Sequence, residues 1–148
     1  MRSLMIGTVL ACTACIGVAM AQGSVIKQRQ DIMESNGKAM GLVGKMAKGE
    51  APYDAKAAGD AMKSIKDSAV KFTTLFPVGS EKGENTRAKP EIWKNKKDFD
   101  DWGKQLEDDA TKAQAAAAGG LDSMKTALAA MGKTCSGCHD DYRAPEKK

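Results

Sequence analysis

Near its C-terminus the chain reads "GKTCSGCHDDYR" over residues 132–143, and His139 is the only histidine among 148 residues. Two thiols three positions apart, with an imidazole directly after the second, form the pattern for covalent haem attachment. Each thiol adds to one vinyl group of the porphyrin, and the imidazole coordinates iron from the proximal side. On a helix, residues three apart share a face, so Cys135 and Cys138 can both reach one porphyrin edge. Other uses of the pair fit less well. A disulfide would close a tiny loop and staple almost nothing. Zinc needs four ligands, and Cys135, Cys138 and His139 are the only Cys or His left outside the first 21 residues. A thioredoxin-like pair belongs in a βαβ setting.

The elements that must position these residues are helices. The sequence is rich in Ala, Lys, Met, Asp and Glu and poor in β-branched and aromatic residues, so strands have little to build from. One helix is expected from about Ser24, as N-cap, to Lys48, with Gly49 as stop. Ile26, Met33, Met40, Val43 and Ala47 recur on its inner face. A second is expected from near Asp54 to Phe76, where Pro77 forbids continuation. A polar crossing follows, with a short turn at Pro90–Trp93. A third helix is expected from near Asn95 to the pair Gly119-Gly120. A fourth starts near Leu121 and carries Met124, Leu128, Met131, Cys135 and His139 on one stripe. The fold class is therefore all-α, an antiparallel up-down four-helix bundle with the haem near one end. The stripes are thin for a self-sufficient core, being mostly alanines and a few methionines, and a haem would help to fill it.

That bundle ranks the residues available for the sixth iron position. With no second histidine, the choices are a methionine, an exogenous ligand or an empty site. The end of the fourth helix lies beside the start of the first, which puts Met33 at the height of His139. Met40 and Met46 lie about 10 and 20 Å further along, at ~1.5 Å per residue. Met62 and Met131 are also remote. Met33 is thus the expected distal ligand, the alternative being that it only packs on the porphyrin face. Arg29, one turn before Met33, is placed to pair with a haem propionate. Arg143, four residues after His139, is placed to cover the proximal imidazole. For both, the competing reading is a solvated helix charge.

The first segment reads as a leader. "MRSLMIGTVLACTACIGVAMAQ" has Arg2, an apolar run from about Leu4 to Ala19, and the small-residue signal Ala19-Met20-Ala21. Residues 1–21 are expected to be a secretory signal peptide cut before Gln22, leaving residues 22–148 as one domain. A membrane anchor would need about 20 apolar residues, more than this run offers. A lipoprotein modified at Cys12 would leave too short an apolar region. Cys12 and Cys15 repeat the two-residue spacing, but Ile16 follows them and the segment is discarded. Removal of Arg2 leaves 22 basic against 19 acidic side chains, a balance of +3 spread along the chain. That does not argue for nucleic acid. No later run is apolar enough to span a membrane.

With these residues in place, the chain resembles the cytochrome c′ family, and within it the low-spin cytochrome c-556 branch. The resemblance covers essentially all of 22–148. Its carriers are "VIKQRQDIMESNGKAM", "AKGEAPYD", "LFPVGSEKG", "PEIWKNKKDFD" and "CSGCHDDYR". It implies a left-handed bundle, His139 as iron ligand and, in the low-spin branch, a sixth ligand at the position of Met33. The family's first-helix arginine matches Arg29, and its basic residue beside the haem histidine matches Arg143. Many relatives are homodimers through the first two helices, which the stripes here permit. The expected function is that of a periplasmic monohaem electron carrier, not an enzyme, cycling between ferric and ferrous iron and exchanging electrons with unidentified redox proteins. The main rival is a five-coordinate protein that binds nitric oxide or carbon monoxide. A more remote one is a haem-free exported helical module.

Overall fold

The computed structural model describes residues 14–146, with side chains from residue 25 onward. In chain order it has α1 (Ala14–Ala47), α2 (Ala55–Phe72), a 3-10 turn (Thr73–Leu75), α3 (Glu91–Lys94), α4 (Lys96–Ala117) and α5 (Leu121–Tyr142). The four long helices form an antiparallel bundle in which α1 packs on α2 and α5, and α4 packs on α2 and α5. No strand occurs among the described residues. A single antiparallel bridge joins Ala88 to Arg143.

Local chemistry sets the helix ends. Asp54 caps α2, its carboxylate accepting from the Ala57 backbone N–H at 3.0 Å. Gly49 closes α1 in the left-handed region at φ 75°, which lets Glu50 N–H reach back to the Lys45 carbonyl at 2.9 Å. The Tyr53 hydroxyl donates to the Ala117 carbonyl at 2.6 Å, satisfying one of the last acceptors of α4.

Two expected boundaries are corrected. Ser24 is not an N-cap: α1 begins at Ala14 and runs unbroken across the expected cut before Gln22. The stretch "GVAMAQGS" contains good helix formers and no proline, so nothing in it stops the helix. Residues 1–13 of the expected leader, with Cys12, lie outside the described residues. The second helix ends at Phe72 rather than Phe76, tightening into the 3-10 turn. There Thr73 and Thr74 compete with helix propagation, and the Thr74 hydroxyl bonds back to the Lys71 carbonyl at 2.7 Å.

The interior divides into two clusters. One fills the middle of the bundle with Val43, Met46, Met62, Ile65, Met124 and Met131, and with the alanines of α2 and α4. Small residues on α4 let α2 approach closely, and flexible methionines fill what remains. The other cluster is aromatic. It gathers Phe76, Phe99 and Tyr142 with Leu75 and Ile92, and Phe72, Trp93 and Trp102 pack against it. Ring centroids stand 4.7 Å apart for Phe76 and Phe99 and 5.2 Å for Phe99 and Tyr142, both edge to face.

Candidate haem site

Between the two clusters lies a cavity of about 460 Å³. Its apolar wall includes Ile65, Phe72, Phe76, Phe99, Trp102 and Leu106. From α5, Cys135, Cys138 and His139 all face it, as their spacing predicts. From α1, Met33 faces it. Met46, Met62, Met124 and Met131 are buried in the mid-bundle cluster and Met40 packs against it, so none of them lines this space.

The segment 135–139 is held at both ends. Just before it, the Thr134 hydroxyl donates to Asp109 at 2.7 Å, and Gln105 donates to the other carboxylate oxygen at 2.9 Å. Just after it, the Tyr142 hydroxyl donates to Asp98 at 2.5 Å. The crossing then clamps the end of α5. Lys89 N–H donates to the Tyr142 carbonyl at 3.0 Å, and Ala144 N–H donates to the Arg87 carbonyl at 2.8 Å. The Lys89 ammonium caps the carbonyls of Asp140 and Asp141 at 2.7 and 3.2 Å. Between the two cysteines, Gly137 packs against the outer edge of the Trp102 indole. A Cβ there would fall well inside van der Waals contact with the ring.

The electrostatics suit neutral ligands. Burial, then the neighbouring Asp109 charge, raises the Cys135 thiol above its ordinary value. Burial is also the first cause that pushes the Cys138 thiol up, to about 12. Burial lowers His139, helped by the Arg143 and Arg87 charges, so its imidazole is neutral at pH 7 and keeps a lone pair for a metal. Protonated thiols in an apolar wall are poor thiolate ligands. They are well placed to end as neutral thioethers. The donor set, the shape and the apolar lining fit a haem.

The two arginines read from the sequence differ. Arg29 lines the cavity but is only 3% exposed, which excludes a solvated charge. One terminal nitrogen donates to the Leu75 carbonyl at 3.3 Å and the Ser80 hydroxyl at 3.1 Å. The other donates to the Ser80 carbonyl at 2.7 Å and the Thr86 hydroxyl at 3.0 Å. Its guanidinium also lies 4.5 Å from the Phe76 ring centroid. Arg29 therefore pins the crossing to α1. Arg143 is exposed, lines the cavity mouth and bears on the imidazole through its charge, while its backbone N–H donates to the His139 carbonyl at 3.0 Å. Sequence reasoning missed Arg87, Trp102 and the Asp109–Thr134 bond. Only the glycine between the cysteines signalled one of them, as a place where something packs closely.

A family model described as Cytochrome C′ matches residues 24–143. The chain belongs to the cytochrome c′ family. It is 38% identical over 128 residues to a cytochrome c′ of Rhodopseudomonas palustris, covering 86% of this chain and 87% of that one. It is 37% identical over 129 residues to a cytochrome c-556 of Agrobacterium fabrum, covering 87% and 86% respectively. A ferrous cytochrome c′ variant from Alcaligenes xylosoxidans, solved with bound NO, superposes with a TM-score of 0.76 at 30% identity, covering 84% of this chain and 97% of that one. Cytochromes c′ carry covalently attached haem c, and that is the cofactor of this chain.

Proposed function

We propose that the protein is an exported electron carrier whose single haem c is tethered at Cys135 and Cys138 and ligated by His139 and Met33. One observation carries the reading: of the described methionines, only Met33 lines the cavity that also receives the two thiols and the imidazole. When bound, the haem supplies a one-electron ferric–ferrous couple, and thioether ligation favours its ferrous state. The chain's part is to hold His139 still through the bonds at Thr134 and Tyr142, to keep water off with the aromatic wall, and to bring sulfur from α1. Fixed ligands on both sides keep reorganisation small, and no substrate bond is made or broken. Export to the periplasm belongs to the same reading and rests on the expected leader at 1–21; among the described residues no helix is long and apolar enough to cross a membrane. A homodimer through α1 and α2 fits the same reading, since Leu42 and Val70 on those helices are exposed.

The test is spectroscopic. The ferric protein at neutral pH should be low-spin, with a sulfur–iron charge-transfer band in the near infrared. Met33→Ala should abolish the band and turn the iron high-spin. A high-spin ferric wild type would favour the second reading, a five-coordinate binder of nitric oxide or carbon monoxide. In its favour, the Alcaligenes xylosoxidans relative was solved with NO bound.

A further inference from the structure

Three guanidinium groups line the cavity, those of Arg29, Arg87 and Arg143, and no carboxylate side chain does. Positive charge gathered around an apolar pocket with no facing carboxylate suits an anion, because a partly desolvated cation gains from a counter-charge. A haem brings two carboxylates of its own, so the question is which arginine receives them. Arg29 has both terminal nitrogens committed to the crossing, to Leu75, Ser80 and Thr86. Arg87 is the reverse case. Its Nε donates to the Ala144 carbonyl at 2.8 Å, which fixes the side chain at the cavity wall. Its terminal nitrogens make no hydrogen bond or ion pair to any described residue.

We propose that Arg87 is the residue that grips a haem propionate, and that Arg29 serves to fold the crossing that presents it. The proposal rests on the haem lying in this cavity as described above. Arg87 sits on the segment clamped to the end of α5, where the Ala88–Arg143 bridge and the Ala144–Arg87 backbone bond set its position. It is half-buried, so its charge is less screened than that of exposed Arg143. Its anchored Nε leaves the two terminal NH2 groups as a fork for a carboxylate, with little side-chain freedom left to lose. Arg143, with an exposed and unanchored side chain, lacks that preparation.

The experiment uses the holoprotein, in which the thioether links keep the haem in place whatever the propionates do. Resonance Raman spectra are taken of wild type, Arg87→Gln, Arg87→Lys and Arg143→Gln. The propionate bending mode should shift to lower frequency in Arg87→Gln, as it does when a propionate loses a donor. It should shift less in Arg87→Lys and stay in place in Arg143→Gln. An unmoved mode in Arg87→Gln, or an equal shift in Arg143→Gln, overturns the assignment. If Arg87→Gln yields no folded protein, Arg87→Lys decides: a mode identical to wild type counts against a fork-type grip. Spin-state marker bands in the same spectra read the iron ligation separately. Loss of the Met33 ligation and loss of the Arg87 grip are therefore told apart.

Discussion

Gly137 shows how narrow the tolerance is at the attachment segment. Its missing side chain is the space that the Trp102 ring occupies. Gly137→Ala forces either the indole off its seat or α5 away from α4, and overpacking of this kind costs about 1–3 kcal/mol. Denaturant unfolding of the holoprotein should show that loss. In a Trp102→Leu background the same substitution should cost clearly less, because the two residues share the strain. Thr134 works through a bond instead of a shape. Asp109 is 8% exposed and takes one of its two donors from Thr134 across the α4–α5 seam. Thr134→Val keeps the volume and removes the donor, leaving a carboxylate oxygen unpaired, at about 1–3 kcal/mol. Thr134→Ser should recover most of it, as unfolding midpoints would show. That Cys135, Cys138 and His139 face one space was legible in the sequence because the motif is local: five consecutive residues state it. Trp102 and Asp109 were not, since their roles exist only once α4 lies against α5.

The four long helices were legible for a similar reason. Gly49, Asp54 and Gly120 act on their own neighbours, and the apolar stripes repeat within each segment. The crossing between α2 and α4 was not. Its order comes from Arg29, whose partners Leu75, Ser80 and Thr86 lie 46, 51 and 57 residues away. A first-helix arginine near a haem motif reads as a propionate partner, and nothing local announces that its terminal nitrogens also bond the loop. Burial also pulls its guanidinium below the usual arginine value, with Glu81 partly offsetting this, so the charge stays but is expensive to strand. Arg29→Met should therefore loosen an element as well as a point. The Leu75 and Ser80 carbonyls then lose this donor, at about 1–3 kcal/mol. Amides of the crossing, such as Ser80 and Thr86, should lose hydrogen-exchange protection well before those of α4. Uniform loss across the bundle would show that the arginine holds the whole fold and not the crossing.

At the scale of the molecule, surface charge does little and the haem does much. Pairs such as Lys56–Asp60, Lys63–Asp67 and Lys97–Asp101 are exposed and sit four residues apart on one helix. Each contributes little, being open to solvent and with lysine leading, the less favourable order. Raising salt from dilute buffer to molar should leave the thermal midpoint of the holoprotein nearly unchanged. The cavity is a different matter. If about 460 Å³ stayed as a dry void, ~24 cal/mol per Å³ would put its cost near 11 kcal/mol. The whole stability of a domain is about 5–15 kcal/mol, so even half that cost leaves little margin. The sequence hinted at this through thin alanine and methionine stripes that could not fill a bundle. Through His139 it also placed the haem near one end, but it could not show the aromatic cluster that stands beside the space there. A Cys135→Ser/Cys138→Ser chain purified without haem should keep helical far-UV circular dichroism, lose near-UV signal from Trp93 and Trp102, and unfold without a sharp transition. Mid-bundle residues such as Met62 and Met124 can still pack, so the helices do not vanish with the cofactor. A cooperative transition close to that of the holoprotein would mean that the walls collapse onto one another, and that the haem is a passenger in a core already complete.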